Sequence, residues 1–161
     1  MKILVVSDTH GDFHSLLKAV KSHPDAEVIV HCGDGDEQVQ LLKDTYKDKM
    51  IVGVRGNCDW NSFLPSKETL SILGKKIFIT HGHLYNAKVG LYQIMCAARE
   101  EGADILLYGH THIAMNTYED GLYIMNPGSC HGYMASYGIL EITENGDVLT
   151  NIVRETLNKS R

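Results

Sequence analysis

No apolar run in this 161-residue chain approaches the roughly 20 residues that a helix needs to cross a bilayer, so membrane insertion by that route is excluded. The short apolar run Ile3 to Val6 meets Ser7 and Asp8 at once and carries no cleavage-site pattern, so it is not read as a secretory signal, and the chain is expected in the cytoplasm. Its four cysteines, Cys32, Cys58, Cys96 and Cys130, form no CxxC pair, which speaks against a zinc ribbon or a thioredoxin-like redox motif and for reduced thiols. Basic charge is also short. A net charge of -5 argues against broad capture of a nucleic-acid backbone, and no long polynucleotide is expected as a partner. Internal repeats, low-complexity stretches and Pro/Gly/Ser-rich linkers are absent as well, so residues 1–161 are read as one domain, large enough to bury roughly two thirds of its unfolded surface.

What the chain does have is nine histidines, several clustered with glycine and aspartate. The clusters follow strand-like runs. ILVV (3–6) leads into SDTHGD, VIVH (28–31) into CGDGD, IVGV (51–54) into RGNCD, IFIT (77–80) into HGH, and ILLY (105–108) into GHTH. Segments 13–22, 37–46 and 89–101 carry apolar residues at helical spacing between these runs. Continuously apolar strands alternating with amphipathic helices imply βαβ units and a buried parallel sheet, whose carboxyl-edge loops share one side of the molecule. The polar clusters should therefore converge. Three further pairs of runs read as hairpins around Gly74-Lys75, Asp120-Gly121 and Asn145-Gly146 and imply a second, antiparallel sheet. Two sheets face to face with helices outside make a layered α/β sandwich.

The side chains at the strand ends are Asp8 and His10, Asp34 with Asp36 as an outside candidate, Asn57, His81 with His83, and His110 with His112. Carboxylates, an amide oxygen and imidazoles suit a borderline-hard divalent ion such as Mn²⁺, Fe²⁺, Zn²⁺ or Ni²⁺. So many donors exceed the needs of one ion, and two ions need a bridging carboxylate, for which Asp34 between Gly33 and Gly35 is the candidate. In Asp8-Thr9-His10 and His110-Thr111-His112, side chains two apart in extended backbone would point to one face. Taken singly, Asp8 or Asp34 could be a helix cap and Asn57 a turn residue, whereas His14, His23 and His31 are read as ordinary structural histidines. Their joint occurrence at consecutive strand ends is what favours a metal site.

DTHGD, GDGD, GNCD, HGH and GHTH in this order resemble the signature of the calcineurin-like metallophosphoesterases, and the short chain, GNCD and NPGS (126–129) are similar to the YfcE-like phosphodiesterase subgroup. The resemblance implies a four-layer αββα sandwich of two mixed sheets. It also implies one metal held by Asp8, His10, Asp34 and His112 and a second by Asp34, Asn57, His81 and His110, with Mn²⁺ first and Ni²⁺, Fe²⁺ or Zn²⁺ as alternatives. The implied reaction is hydrolysis of a small phosphodiester by a metal-activated hydroxide. Asp34, Asn57, Cys58 and His83 are the candidates for catalytic roles, with Asp59 and Arg55 weighed as a solvated turn carboxylate and a surface ion-pair partner.

Many members of the wider superfamily have histidine where this chain has Cys58. A thiol is largely neutral near pH 7 and offers no cationic donor, which points to diesters over dianionic monoesters. The alternative expectation is a protein-binding scaffold of the same fold, to which the resemblance also extends through a retromer subunit. A homo-oligomer is a further open expectation.

Overall fold

The computed structural model describes residues 1–155, so the last six residues of the single domain expected over 1–161 lie outside the description. Strands β1 (Lys2–Val6), β2 (Val28–His31) and β3 (Met50–Gly53) alternate with helices α1 (Phe13–Ser22) and α2 (Asp36–Thr45). Then come β4 (Lys67–Ile72), β5 (Lys75–Thr80), α3 (Tyr92–Glu100) and β6 (Ile105–Leu107), followed by β7 (Met115–Glu119), β8 (Leu122–Asn126), β9 (Ser136–Ile142) and β10 (Val148–Arg154). One sheet has the order β10-β9-β1-β2-β3 and the other β4-β5-β6-β8-β7. Both are mixed: β1, β2 and β3 are parallel, as are β5, β6 and β8, while the remaining pairs are antiparallel.

The period of two along β1 explains the layers. Ile3 and Val5 join Val28, Val30, Ile77, Ile79, Ile105 and Leu107 in the core between the sheets. Leu4 and Val6 turn the other way, against Leu16, Ala19 and Val20 of α1 and Leu42 of α2. On the far side, Phe78, Leu106 and Ile124 of the second sheet meet Ile94 and Ala98 of α3. The result is the helix, sheet, sheet, helix stack expected from the resemblance. Asp12 caps α1 by accepting the Ser15 backbone N–H at 2.9 Å.

Several local expectations are corrected. The second sheet is not purely antiparallel, because IFIT and ILLY enter it as the parallel pair β5 and β6, and the β9–β10 hairpin belongs to the first sheet instead. The hairpin expected at Gly74-Lys75 turns one residue earlier, on Leu73 (φ 46°) and Gly74 (φ 79°), with Ile72 paired to Lys75. Two left-handed residues match the twist of the flanking strands, and that requirement outweighs the usual resistance of leucine to positive φ. The turn at Asp120-Gly121 is as expected, but around Asn145-Gly146 the strands stop at Ile142 and Val148, leaving a five-residue loop, 143–147, tied by Thr143. The helix expected from residue 89 begins at Tyr92, since Val89 and Gly90 close a turn on the carbonyl of left-handed Asn86.

Candidate metal centre

The carboxyl ends of β1, β2, β5 and β6, together with the loop after β3, open onto the same side, so both sheets contribute. Asp8, His10 and His112 form one group of donors, and Asp8, Asp34 and His81 another, each with its ligand atoms within 4.8 Å of one another. The pairs do not converge through extended backbone as the spacing suggested. Asp8 (φ 53°), His10 (φ 44°), Asp34 (φ 60°), His110 (φ 70°) and His112 (φ 61°) are all left-handed. Aspartate and histidine tolerate that region better than most residues, yet each such position costs roughly 1–3 kcal/mol that the surrounding fold must offset.

Asp8 is fully buried. Its Oδ2 accepts the Ser7 hydroxyl at 2.6 Å and the His110 backbone N–H at 3.0 Å. Its Oδ1 has no hydrogen-bond partner among the described residues and lies 3.2 Å from His112 Nε2, 3.7 Å from His10 Nε2 and 3.8 Å from His81 Nε2. Asp34 Oδ1 accepts the Cys58 backbone N–H at 2.8 Å, while Oδ2 stands 3.3 Å from His81 Nε2 and 3.8 Å from His10 Nε2. Burial pushes the Asp34 carboxyl up, but the hydrogen bond and charge of His81, the Cys58 amide and the charge of His10 more than offset it and hold it below the usual carboxylate range.

His81 is oriented from behind. Its Nδ1–H donates to the Cys32 carbonyl at 2.7 Å, which turns Nε2 toward Asn57 Oδ1 at 3.1 Å and the two carboxylates. Burial alone would lower its pKa, and the Asp34 hydrogen bond with the charges of Asp8 and Asp34 raises it instead. Three oxygens around one imidazole nitrogen require a positive centre between them, either a proton or a metal ion. Across the cleft, His10 Nε2 and His112 Nε2 face each other at 3.3 Å beside Asp8 Oδ1. An orphaned buried carboxylate oxygen ringed by imidazole nitrogens fits a divalent cation.

The other candidates divide. The His110 ring packs edge-on against His81 with centroids 5.0 Å apart and joins neither donor group. His83 stands 5.4 Å from His81 and 6.1 Å from His110, ring centre to ring centre, with Nδ1 buried and unpartnered among the described residues. Burial and the charge of His81 push its pKa down. Cys58 is exposed, and its sulfur shares a group with His10 and Asp34. Burial and then the Asp34 charge push that thiol up, so it is neutral near pH 7. Asp36 opens α2 and belongs to no donor group, Arg55 and His14 are exposed, and His23 pairs with the Tyr137 hydroxyl at 3.0 Å.

Residues that hold no metal support the donors from behind. Asp59 is no solvated turn carboxylate: its Oδ2 accepts the backbone N–H of Asp34 at 2.8 Å and of Gly56 at 2.7 Å, and its Oδ1 that of Asp36 at 3.1 Å. The signal available was an aspartate three residues after a turn glycine, a common loop-tying position. Asp34 and Asp36, after β2, are thereby fastened to the loop after β3. Gly56 is required there because a Cβ would overlap Asp34 Oδ1 and approach Asp34 N to 2.6 Å. His31 is buried, accepts from Gly33 N and meets Thr9 Oγ1 at 2.9 Å, and Thr9 donates onward to Gln38 Oε1 at 2.9 Å. In NPGS, the Asn126 amide donates to Gly109 O at 3.0 Å and Thr111 Oγ1 at 2.9 Å, and Ser129 Oγ donates to Asp8 O at 2.8 Å. The loop braces the donors.

A cavity of about 320 Å³ adjoins the centre through His10, Asp34 and Cys58 and is lined also by Trp60. A larger cleft, about 680 Å³, opens at the opposite ends of the strands around Met1, Pro24 and Lys49 and includes none of these donors.

Residues 1–145 match the calcineurin-like phosphoesterase superfamily domain, most of the chain. The chain belongs to that superfamily. It is 34% identical over 130 residues to the probable metallophosphoesterase YsnB of Bacillus subtilis, covering 80% of this chain and 75% of the relative. The subgroup resemblance is met by the phosphodiesterase YfcE of Escherichia coli, 26% identical over 186 aligned positions, with 94% of this chain and 91% of the relative covered. Among solved structures, zinc-complexed Vps29 of Entamoeba histolytica superposes with a TM-score of 0.75 over 97% of this chain and all of its own, at 23% identity, and so shares the fold.

Proposed function

We propose that this phosphoesterase-superfamily chain is a dinuclear metal-dependent phosphodiesterase that hydrolyses small phosphodiesters. The observation that carries the reading is Asp8 Oδ1, buried without a hydrogen-bond partner among the described residues and ringed by His10, His81 and His112. Under this reading Asp8, His10, Asp34 and His112 would hold one ion and Asp34, Asn57, His81 and His110 the other, with Asp34, which lies between His10 and His81, shared by the two sets. Mn²⁺ is the first choice, and Ni²⁺, Fe²⁺ and Zn²⁺ suit the same donors. Such ions supply an acidified water as nucleophile and positive charge at the phosphoryl oxygens.

The chain's own residues do the positioning. The Cys32 carbonyl fixes the tautomer and direction of His81, Asp59 holds the Asp34 backbone, and Ser7 with the His110 amide fixes the Asp8 carboxylate. Fixed donors cost no reorganisation during the reaction. Cys58 supports diester over monoester turnover, because a neutral thiol at the cleft brings no positive charge to meet a dianion. His83, whose ring stands beside those of His81 and His110, is the candidate to contact a phosphate oxygen.

The test is hydrolysis of bis-p-nitrophenyl phosphate and p-nitrophenyl phosphate by metal-stripped protein before and after Mn²⁺ is added. Metal-dependent turnover strong on the diester and weak on the monoester is expected. A folded protein inactive with Mn²⁺, Ni²⁺, Fe²⁺ and Zn²⁺ on both would favour the second reading, a binding scaffold. That reading draws on the exposed apolar side chains Leu84, Val89, Tyr92 and Ile113, which lie on the loops after β5 and β6 and at the start of α3. A cytoplasmic location accords with reduced cysteines, and no helix among the described residues is long and apolar enough to cross a membrane.

A further inference from the structure

Trp60, the only tryptophan of the chain, is 85% exposed. A side chain of that size ordinarily buries 150–250 Å², so an open indole forgoes a large apolar contribution. It does not hang on a slack loop. Asp59, its neighbour, accepts three backbone N–H groups, the Arg55 N–H donates to the Pro65 carbonyl at 2.9 Å across the loop base, and Asn61 takes a left-handed turn (φ 60°) directly after it. The indole is thus presented by a tied loop three residues after Asn57, and it lines the cavity that runs into His10, Asp34 and Cys58. An aromatic surface held beside a reaction centre and left uncovered is built to meet something flat.

The rest of the cavity narrows the occupant. Asp36 and Glu37, in the first turn of α2, lie on its wall, and no lysine or arginine among the described residues lines it. A second phosphate on the substrate would be repelled there, whereas ring N–H or amino groups would find carboxylate acceptors. The volume, about 320 Å³, is at the small end for a ligand site and suits one nucleoside-sized group, not an oligomer.

Resting on the phosphodiesterase reading, we infer that this cavity receives the nucleobase of a small diester, stacked on Trp60, and rejects diesters that carry further phosphate. Trp60 is then the specificity-determining residue, and the substrate class is a nucleoside phosphodiester with a single anionic centre.

The first experiment compares KM for thymidine 5′-(p-nitrophenyl) phosphate with KM for methyl p-nitrophenyl phosphate in Mn²⁺-loaded protein, since both expel the same leaving group. The preference for the thymidine ester falls about tenfold in Trp60→Ala and is kept in Trp60→Phe, as loss and retention of base stacking require. Adding a 3′-phosphate to the thymidine ester lowers kcat/KM about tenfold, and Glu37→Gln narrows that gap. The second experiment needs no turnover: the single indole reports its own contacts, so adenosine 5′-(methyl phosphate) quenches the fluorescence saturably while dimethyl phosphate does not. If bis-p-nitrophenyl phosphate is hydrolysed but neither the quenching nor the Trp60-dependent preference appears, the inference falls and the phosphodiesterase reading stands. Saturable quenching without turnover of any diester keeps the nucleobase site and overturns the phosphodiesterase reading instead.

Discussion

The two sheets bring different chemistry to the centre. Strands of the first sheet end in Asp8, His10 and Asp34, with Asn57 close behind, whereas strands of the second end in imidazoles, His81 before α3 and His110 and His112 after β6. The carboxylates are buried and held by backbone and hydroxyl donors, while the His112 side chain is 49% exposed. Negative charge is therefore fixed deep in one layer and met by neutral or protonated rings from the other. The lesson is that both donor groups built on Asp8 draw on the two sheets together, and the packing of Ile3, Val5 and Val30 against Ile77, Ile79 and Leu107 is what assembles them.

The sharpest way to break this division is Asp34→Asn. It removes the charge placed between His10 and His81 while keeping the shape, and diester turnover is expected to drop by about 10³-fold in initial-rate assays, with the far-ultraviolet dichroism unchanged. A drop of less than tenfold would mean that the first sheet's carboxylate is not the centre of the site.

The first sheet also hides a histidine outside the donor groups, the fully buried His31. Burial depresses the pKa of His31 from 6.5 to about 4, although the charges of Asp8 and Asp59 oppose the change. Between these two values the unfolded chain binds a proton that the folded chain refuses, so stability is full above pH 6.5 and declines as pH falls toward 4. The loss is about 3 kcal/mol, since each tenfold weakening of proton binding in the folded chain is worth about 1.4 kcal/mol. Urea unfolding with chelator present, at pH 7 and pH 4.5, measures it, and His31→Gln should show a shallower decline.

On the second sheet, Asn126→Ala removes the amide that ties Gly109 and Thr111, on either side of His110. Mn²⁺ affinity, read by titration of the metal-stripped protein, is expected to weaken by about 10- to 100-fold, the usual consequence of losing a support behind metal ligands. No change would show that the second sheet's imidazoles need no bracing.

The smallest effect tests the loop between the sheets. Cys58→His restores a cationic donor beside Asp34, and the monoester-to-diester rate ratio should rise at least about tenfold. An unchanged ratio would sink the assignment of diester preference to Cys58.

Much of this was readable along the chain. The apolar period of α1 and α2, the continuous strands β1, β2 and β6, and the polar groups at their carboxyl ends follow from local pattern, because buried parallel strands must be apolar throughout and must stop where ligands begin. The turn at Leu73-Gly74 escaped because hairpin register is settled by pairing across strands, which the turn residues alone do not report. Asp59 escaped because its three partners lie in two loops, one of them more than twenty residues away.

By itself, the amino-acid sequence determined which groups could bind metal and in what order the strands deliver them, since residue chemistry and periodicity are local properties. Only the tertiary structure decided that β9 and β10 extend the first sheet, that Asp8, His10, Asp34, His110 and His112 adopt left-handed backbone, and that Trp60 faces a cavity. Those outcomes depend on contacts between segments far apart in the chain, whose free energy outweighs the local preference of each residue.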